Sequence, residues 1–288
     1  MNIPFIDHGG TGAPLHFLHA NGYPPACYEP LFELLRSQYH VFGMTLRPLW
    51  PEAKMQDLRD WKPFSDDLLK FLDEQKVDRV IGVGHSIGAV VTLRAALMKP
   101  ERFRALVLFD PVLFPPSFII RWNLARAMGQ GHRVIPLIHS ALKRRRSFDN
   151  LEMIFRGYRQ REIFRYFGDE NLRAFIAGMV KPKTDGGHEA SPQGGFELFY
   201  SPEWESHIYY TGVWRDMDLW RGLPKLKVPT LIIRGAETDT FLERTGMLVK
   251  RKQPRVQIEA VAQSTHLVPL ERPQEVFEIM QSFLKEIQ

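Results

Sequence analysis

Cysteine is almost missing from this chain: Cys27 stands alone among 288 residues. One thiol excludes an internal disulfide and any multi-cysteine metal site, and it fits a reducing compartment. No segment approaches 18 uncharged apolar residues, which excludes a membrane span of that kind. The opening residues, MNIPFIDHGGTG, have neither a basic n-region nor an apolar h-region, so a cytoplasmic protein is expected. Internal repeats and low-complexity tracts are absent too, and no recognisable nucleic-acid module accompanies the basic residues.

What remains is globular composition, 44% hydrophobic and 25% charged, too rich in apolar residues for a disordered chain. The net charge of +5 is spread over 38 basic and 33 acidic residues. Its densest basic run, Lys143-Arg144-Arg145-Arg146, is read as a solvated helix face, and no nucleic-acid partner is expected.

Short apolar runs alternate with helix-period segments over the first 110 residues. PLHFLHA (14–20), HVFGMTL (40–46), RVIGVG (79–84) and ALVLFD (105–110) read as buried strands. Between them, YEPLFELLRSQ (28–38), the face Phe64, Leu68, Phe71 and Leu72, and a segment ending before Pro100 have helical spacing. This alternation predicts an α/β fold with a mostly parallel sheet covered on both faces. The pattern breaks after Pro111 and returns with VPTLIIRGA (228–236), RVQIEAV (255–261) and an amphipathic helix from Pro273. A crossover of roughly 115 residues is far too long for one connecting helix. The expectation is a core of residues 1–112 and 224–288 carrying a helical lid over 113–223, with a Gly/Pro-rich interval at 181–195.

Gly84-His85-Ser86-Ile87-Gly88 places a serine between two glycines where a strand meets a helix. A sharp turn of this kind crowds the backbone and leaves no room for a Cβ on either side. It lifts the hydroxyl to the sheet edge at a helix N-terminus, where negative charge is favoured. A hydroxyl is a weak nucleophile at neutral pH and needs a base oriented by a third group. His266, in VAQSTHLVPLERPQ between a predicted strand and the last helix, is the candidate base. Asp239, directly after the strand LIIRG, is favoured as the orienting acid; Asp110, which also ends a strand, is its rival, and Glu237 a weaker one. Developing oxyanion charge calls for two donors, assigned to the backbone N–H groups of Ile87 and of Asn21 in the loop after LHFL. His19 is read as holding that loop and His85 as merely flanking the serine.

With FLHANGYPP (17–25), GHSIG (84–88), LIIRGAETD (231–239) and THLVPLERPQEV (265–276), the chain resembles the α/β-hydrolase superfamily over nearly its whole length apart from the lid. His19-Ala20 stands where that family usually has His-Gly. HANGYP and YSPEWE (200–205) are similar to a bacterial subgroup of capped hydrolases. The resemblance implies a carboxylesterase-like reaction on a small-molecule ester through an acyl-enzyme on Ser86, with no cofactor and no metal. Branches using an aspartate nucleophile, the dehalogenases and epoxide hydrolases, are disfavoured by Ser86. Lactone opening, carbon–carbon cleavage and amide hydrolysis stay open on the same triad, as does a non-enzymatic receptor on the same scaffold. Phe114, Phe118, Trp122, Trp204 and Trp214 are the candidate apolar lining of a pocket for small or medium acyl or aryl esters. No basic cluster in the sequence is tied to the site, so an acidic substrate gains no support.

Overall fold

A computed structural model describes residues 2–184 and 194–287. Part of the Gly/Pro-rich interval 181–195 therefore lies outside the described residues. A seven-stranded sheet runs β1 (Phe5–Gly9), β2 (Ala13–Leu18), β3 (Tyr39–Met44), β4 (Val80–His85) and β5 (Phe103–Phe109), then β9 (Thr230–Gly235) and β10 (Gln257–Val261). Its spatial order is β1-β3-β2-β4-β5-β9-β10. All neighbours are parallel except β1, which pairs antiparallel with β3. Every strand named in the sequence analysis is present; β1 escaped it. Five residues on an edge, with Phe5 and Ile6 exposed, carry neither a continuous apolar run nor an alternation.

The central strands are apolar on both sides because both faces are covered. Along β5, Leu106 and Leu108 enter one core while Ala105, Val107 and Phe109 enter the other. In β9, Ile232 divides from Leu231 and Ile233 in the same way. Helices α2 (Lys62–Glu74) and α3 (Ile87–Met98) fill the first face; α1 (Glu29–Leu35) and α9 (Pro273–Glu286) fill the second. Each fully buried Leu, Ile or Phe contributes about 1.5–3 kcal/mol relative to exposure. Ten consecutive residues of α3, Ile87 to Ala96, are buried, as expected of a helix apolar all round.

Between β5 and β9 come α4 (Pro116–Ala127), α5 (Leu151–Arg159), α6 (Asp169–Met179) and α7 (Pro202–Thr211), with shorter helical turns. This segment also holds three strands: β6 (Ser147–Phe148), β7 (Val180–Pro182) and β8 (Phe196–Leu198), paired antiparallel in the order β6-β8-β7. Strands of two or three residues are too short to show a period, which is why the sequence reads as mainly helical here. Among the described residues the segment makes no separate core: Trp122 and Ile208 join one main cluster, Phe164 and Phe175 the other. Helix α8 (Glu243–Lys252) follows β9. No helix among the described residues is long and apolar enough to cross a membrane.

The basic run does not form a helix face. It lies in the turn between the helix Leu137–Leu142 and β6, and Arg144 turns inward onto the Glu205 carboxylate at 2.5 Å. A buried carboxylate there gives the guanidinium a reason to leave water. Burial pushes the Glu205 carboxyl upward even with Arg144 beside it.

Candidate active site

The turn from β4 into α3 is built by close backbone approach. Ser86 has φ +58°, a left-handed conformation that non-glycine residues rarely adopt. A Cβ on Gly84 would meet the Gly88 carbonyl at 2.5 Å, and one on Gly88 would meet the Leu18 carbonyl at 2.1 Å. Only glycine fits at both places. The strained serine is pinned by its N–H, which donates to the Phe109 carbonyl at 2.9 Å.

The Ser86 Oγ lies 2.9 Å from His266 Nε2, and His266 Nδ1 lies 2.9 Å from Asp110 Oδ1. A carboxylate can only accept, so the Nδ1 carries the proton and Nε2 is free to accept from the serine. Asp239, the acid favoured from sequence, is elsewhere: it is exposed, and its Oδ1 accepts from the Thr240 hydroxyl at 3.0 Å. The loop after β9 instead turns its donors on Asp110. The Thr238 hydroxyl at 2.7 Å and the Phe241 N–H at 3.3 Å reach Oδ1, and the Gly235 N–H at 3.0 Å reaches Oδ2. Asp110 is fully buried, so those donors replace the water it has lost. Glu237 lies at the cavity rim, held by Arg165 at 2.8 Å and by the Tyr166 hydroxyl at 2.5 Å. A sequence signal for Asp110 existed: it is the one polar residue closing the apolar run ALVLF, whereas Asp239 sits among polar neighbours that can satisfy one another.

Ile87 is the first residue of α3, and its N–H has no acceptor within the helix. Facing it, Ala20 to Tyr23 form a turn closed by the Tyr23 N–H on the Ala20 carbonyl at 3.3 Å, with Gly22 at φ +77°. Asn21 occupies the turn, and its side chain is fixed from the β5–β9 segment. Its Nδ2 donates to the Glu205 carbonyl at 3.0 Å, and the Tyr200 hydroxyl donates to its Oδ1 at 3.1 Å.

Two buried histidines brace this frame. His19 Nε2 accepts from the Leu46 N–H at 3.0 Å, so Nδ1 donates to the Ala20 carbonyl at 2.8 Å. Burial pulls its pKa down to about 4, keeping it neutral. His85 does more than flank the serine: one nitrogen meets the Tyr28 hydroxyl at 2.7 Å, the other the His266 carbonyl at 2.8 Å. Because a carbonyl only accepts, the hydroxyl donates to His85, and in turn accepts from the Ala20 N–H at 3.1 Å. Burial, and then the neighbouring His266, hold His85 well below the ordinary histidine range. The chain Ala20, Tyr28, His85, His266 thus ties the asparagine turn to the histidine loop. The other side of that loop is held by Glu271, whose carboxylate accepts from the Thr265 N–H at 2.6 Å and hydroxyl at 2.8 Å.

Ser86, His266 and Asn21 open into a cavity of about 420 Å³, whose apolar wall includes Trp61, Val112, Phe114, Tyr209 and Val213. Of the five aromatics picked from sequence, only Phe114 lines it. Phe118 lines a neighbouring groove instead. Trp122 is buried with its N–H on the Gly212 carbonyl, Trp204 packs edge-on to His207, and Trp214 lies exposed under Arg126. Those three consolidate the segment itself, the usual fate of aromatics at helical spacing. Trp61 and Tyr209 carry no sequence signal, because distant parts of the chain bring them to the cavity. Among the described residues, no three His, Cys, Asp or Glu side chains are grouped to hold a metal ion.

Comparison with known proteins agrees with the fold. The pattern of the Alpha/beta hydrolase family matches residues 17–279. An uncharacterized hydrolase, YugF, of Bacillus subtilis is 24% identical over 90% of this chain and 85% of its own. The crystal structure of E-2-(acetamidomethylene)succinate hydrolase superposes with a TM-score of 0.72 at 18% identity, covering 96% of this chain and 93% of its own. An esterase from Thermogutta terrifontis superposes with a TM-score of 0.68 at 18% identity, covering 99% of this chain and 93% of its own.

Proposed function

Because the chain belongs to the alpha/beta hydrolase family, we propose that it is a serine hydrolase cleaving carboxylic esters of small or medium acyl or aryl groups through an acyl-enzyme on Ser86. The observation that carries this reading is His266 standing 2.9 Å from both Ser86 and Asp110. Ser86 attacks the carbonyl carbon as His266 Nε2 takes its proton, and Asp110 stabilises the imidazolium so formed. The backbone N–H groups of Ile87 and Asn21 receive the oxyanion. Collapse breaks the acyl–oxygen bond, His266 protonates the leaving alcohol, and a water activated by the same nitrogen releases the acid. Residues 113–223 act as the lid, and the 420 Å³ cavity beneath them limits the acyl group.

A series of p-nitrophenyl esters from acetate to palmitate tests the reading, with an organophosphonate label located by mass spectrometry. Wild type should turn over the short members and carry the label on Ser86. Ser86→Ala should retain less than about a thousandth of the activity with its fold intact. Labelling without ester turnover would redirect the search to lactones, diketones or amides. A protein that neither labels nor turns over any of them is no serine hydrolase.

A further inference from the structure

Beside the catalytic cavity lies a second groove, of about 500 Å³, between α4 and α8. The two are contiguous: Phe114, Asp239 and Thr240 line both. Its walls carry three arginines. On α8, Arg244, Leu248 and Arg251 follow the i, i+4, i+7 spacing of one helix face, which sets the two guanidinium stems roughly 10 Å apart along the axis. Arg121 faces them from α4. None of the three has a hydrogen-bond or carboxylate partner among the described residues. Elsewhere on the surface Arg36, Arg156 and Arg173 are taken up by Glu29 and Glu152. Asp239 is the single acid in the groove's lining, at the end nearest Ser86. Thr245, buried in the same wall, has an unpaired hydroxyl. The basic cluster that the linear sequence failed to connect with the site is assembled by two helices more than 100 residues apart.

We infer that this groove is a subsite for the far end of an extended substrate, and that the group it takes is a multiply charged phosphate-bearing one joined to the acyl group held at Ser86. One carboxylate is satisfied by a single guanidinium in a forked pair; two guanidiniums spaced over two helical turns, with a third facing them, match phosphates set apart from one another. Phe114, in ring contact with Phe118 at 4.4 Å between centroids, supplies an apolar passage from the catalytic cavity to the arginines. The inference rests on the serine-hydrolase reading for its chemistry. With a thioester of this kind the acyl–sulfur bond breaks as the acyl–Oγ bond forms, the thiol leaves with the proton held by His266, and water then frees the acid.

The test compares hexanoyl-coenzyme A with S-hexanoyl-pantetheine, which shares the acyl group and thioester arm but has no phosphate. Wild type should show a kcat/KM about 30-fold higher for the coenzyme A ester, falling steeply with added salt. In Arg244→Gln/Arg251→Gln, that preference should shrink to about threefold or less, with the pantetheine ester unaffected and the melting temperature unchanged. Equal turnover of both esters by wild type, or a preference that survives the double substitution, overturns the subsite. Calorimetric titration with inorganic pyrophosphate and with citrate judges the groove without any turnover. Pyrophosphate binding lost in the double variant supports it; citrate binding as tightly as pyrophosphate overturns the assignment to phosphate, and no binding of either overturns the site. Phosphonate labelling of Ser86 on the same samples reports separately on the hydrolase reading.

Discussion

The sheet edge and the segment arching over it are built on different principles. At the edge, backbone dictates geometry: Gly84 and Gly88 leave no space for a Cβ, Ser86 is held at positive φ, and Asp110 is surrounded by donors from one turn. The β5–β9 segment is fastened mainly by side chains, with a close backbone approach of Gly178 to Ala26 and Cys27. Trp61 donates to the Ile208 carbonyl, His207 pairs with the Leu58 carbonyl, and Arg94 reaches down from α3 to Asp216 at 2.6 Å. Backbone contacts admit one residue type, whereas side-chain contacts can be exchanged for others of similar reach. Ser86, His266 and Asp110 thus sit in the rigid part of this molecule, and the cavity wall in its adjustable part.

The largest effect is expected at the acid. Asp110→Asn should lower kcat by about 10⁴-fold, since an amide can donate to His266 Nδ1 and so trap the wrong tautomer. Asp239→Asn, by contrast, should stay within about threefold on p-nitrophenyl acetate, since no hydrogen bond or ion pair among the described residues joins it to His266. Steady-state kinetics of the two variants decide it; a larger loss at Asp239 would return the role to the residue that sequence favoured.

This reversal shows where the sequence stops being legible. The strands β2 to β5, β9 and β10, the helices α1 to α3 and α9 and the Ser86 turn are visible in it, because burial on two faces and a tight turn restrict composition locally; α8, with a charged outer face between β9 and β10, is not. His266 is visible through its place between a strand and the last helix. The choice between Asp110 and Asp239 is set by which way the seven-residue loop 236–242 folds, and both acids follow strands of the same sheet. The cavity wall fails for a related reason. Trp61 and Tyr209 meet there across 148 positions of sequence, while Trp122 and Trp204, more conspicuous in the text, are spent on packing.

A smaller effect sharpens the contrast through pH. His16, His19 and His85 are fully buried, and all belong to the sheet region. Burial lowers His16 to about 3 and His19 to about 4, with His85 also well below the usual value of 6.5. A base whose folded pKa is depressed gives stability that is full above the unfolded value and lost as pH falls through the gap. Stability should therefore decline from pH 6.5 downward, by roughly 2 kcal/mol per histidine at pH 5. Urea unfolding at pH 7.5, 6 and 5 measures this. His16→Gln should flatten the profile by one such share, after allowance for its cost at neutral pH, and a profile indifferent to acid would mean that the histidines are not held neutral.

The smallest expected effect concerns a place where the adjustable part reaches the rigid part. The Tyr200 hydroxyl, from the segment after β8, holds the Asn21 side chain, and Asn21 supplies a proposed oxyanion donor through its backbone. Removing such a donor outright costs about 10²–10³ in kcat. Loosening the turn that carries it should cost less, so Tyr200→Phe is expected to lower kcat about tenfold with KM nearly unchanged. A purely structural role would instead lower the melting temperature and leave the kinetics of the folded fraction intact. The distinguishing readout is affinity for a boronic-acid mimic of the tetrahedral intermediate. It should weaken by the same factor as kcat, because the mimic needs the oxyanion donors and a ground-state product acid does not. Equal weakening of both ligands would mean that Tyr200 shapes the cavity wall rather than the oxyanion turn, and the boundary between the two parts of the molecule would then lie below Asn21.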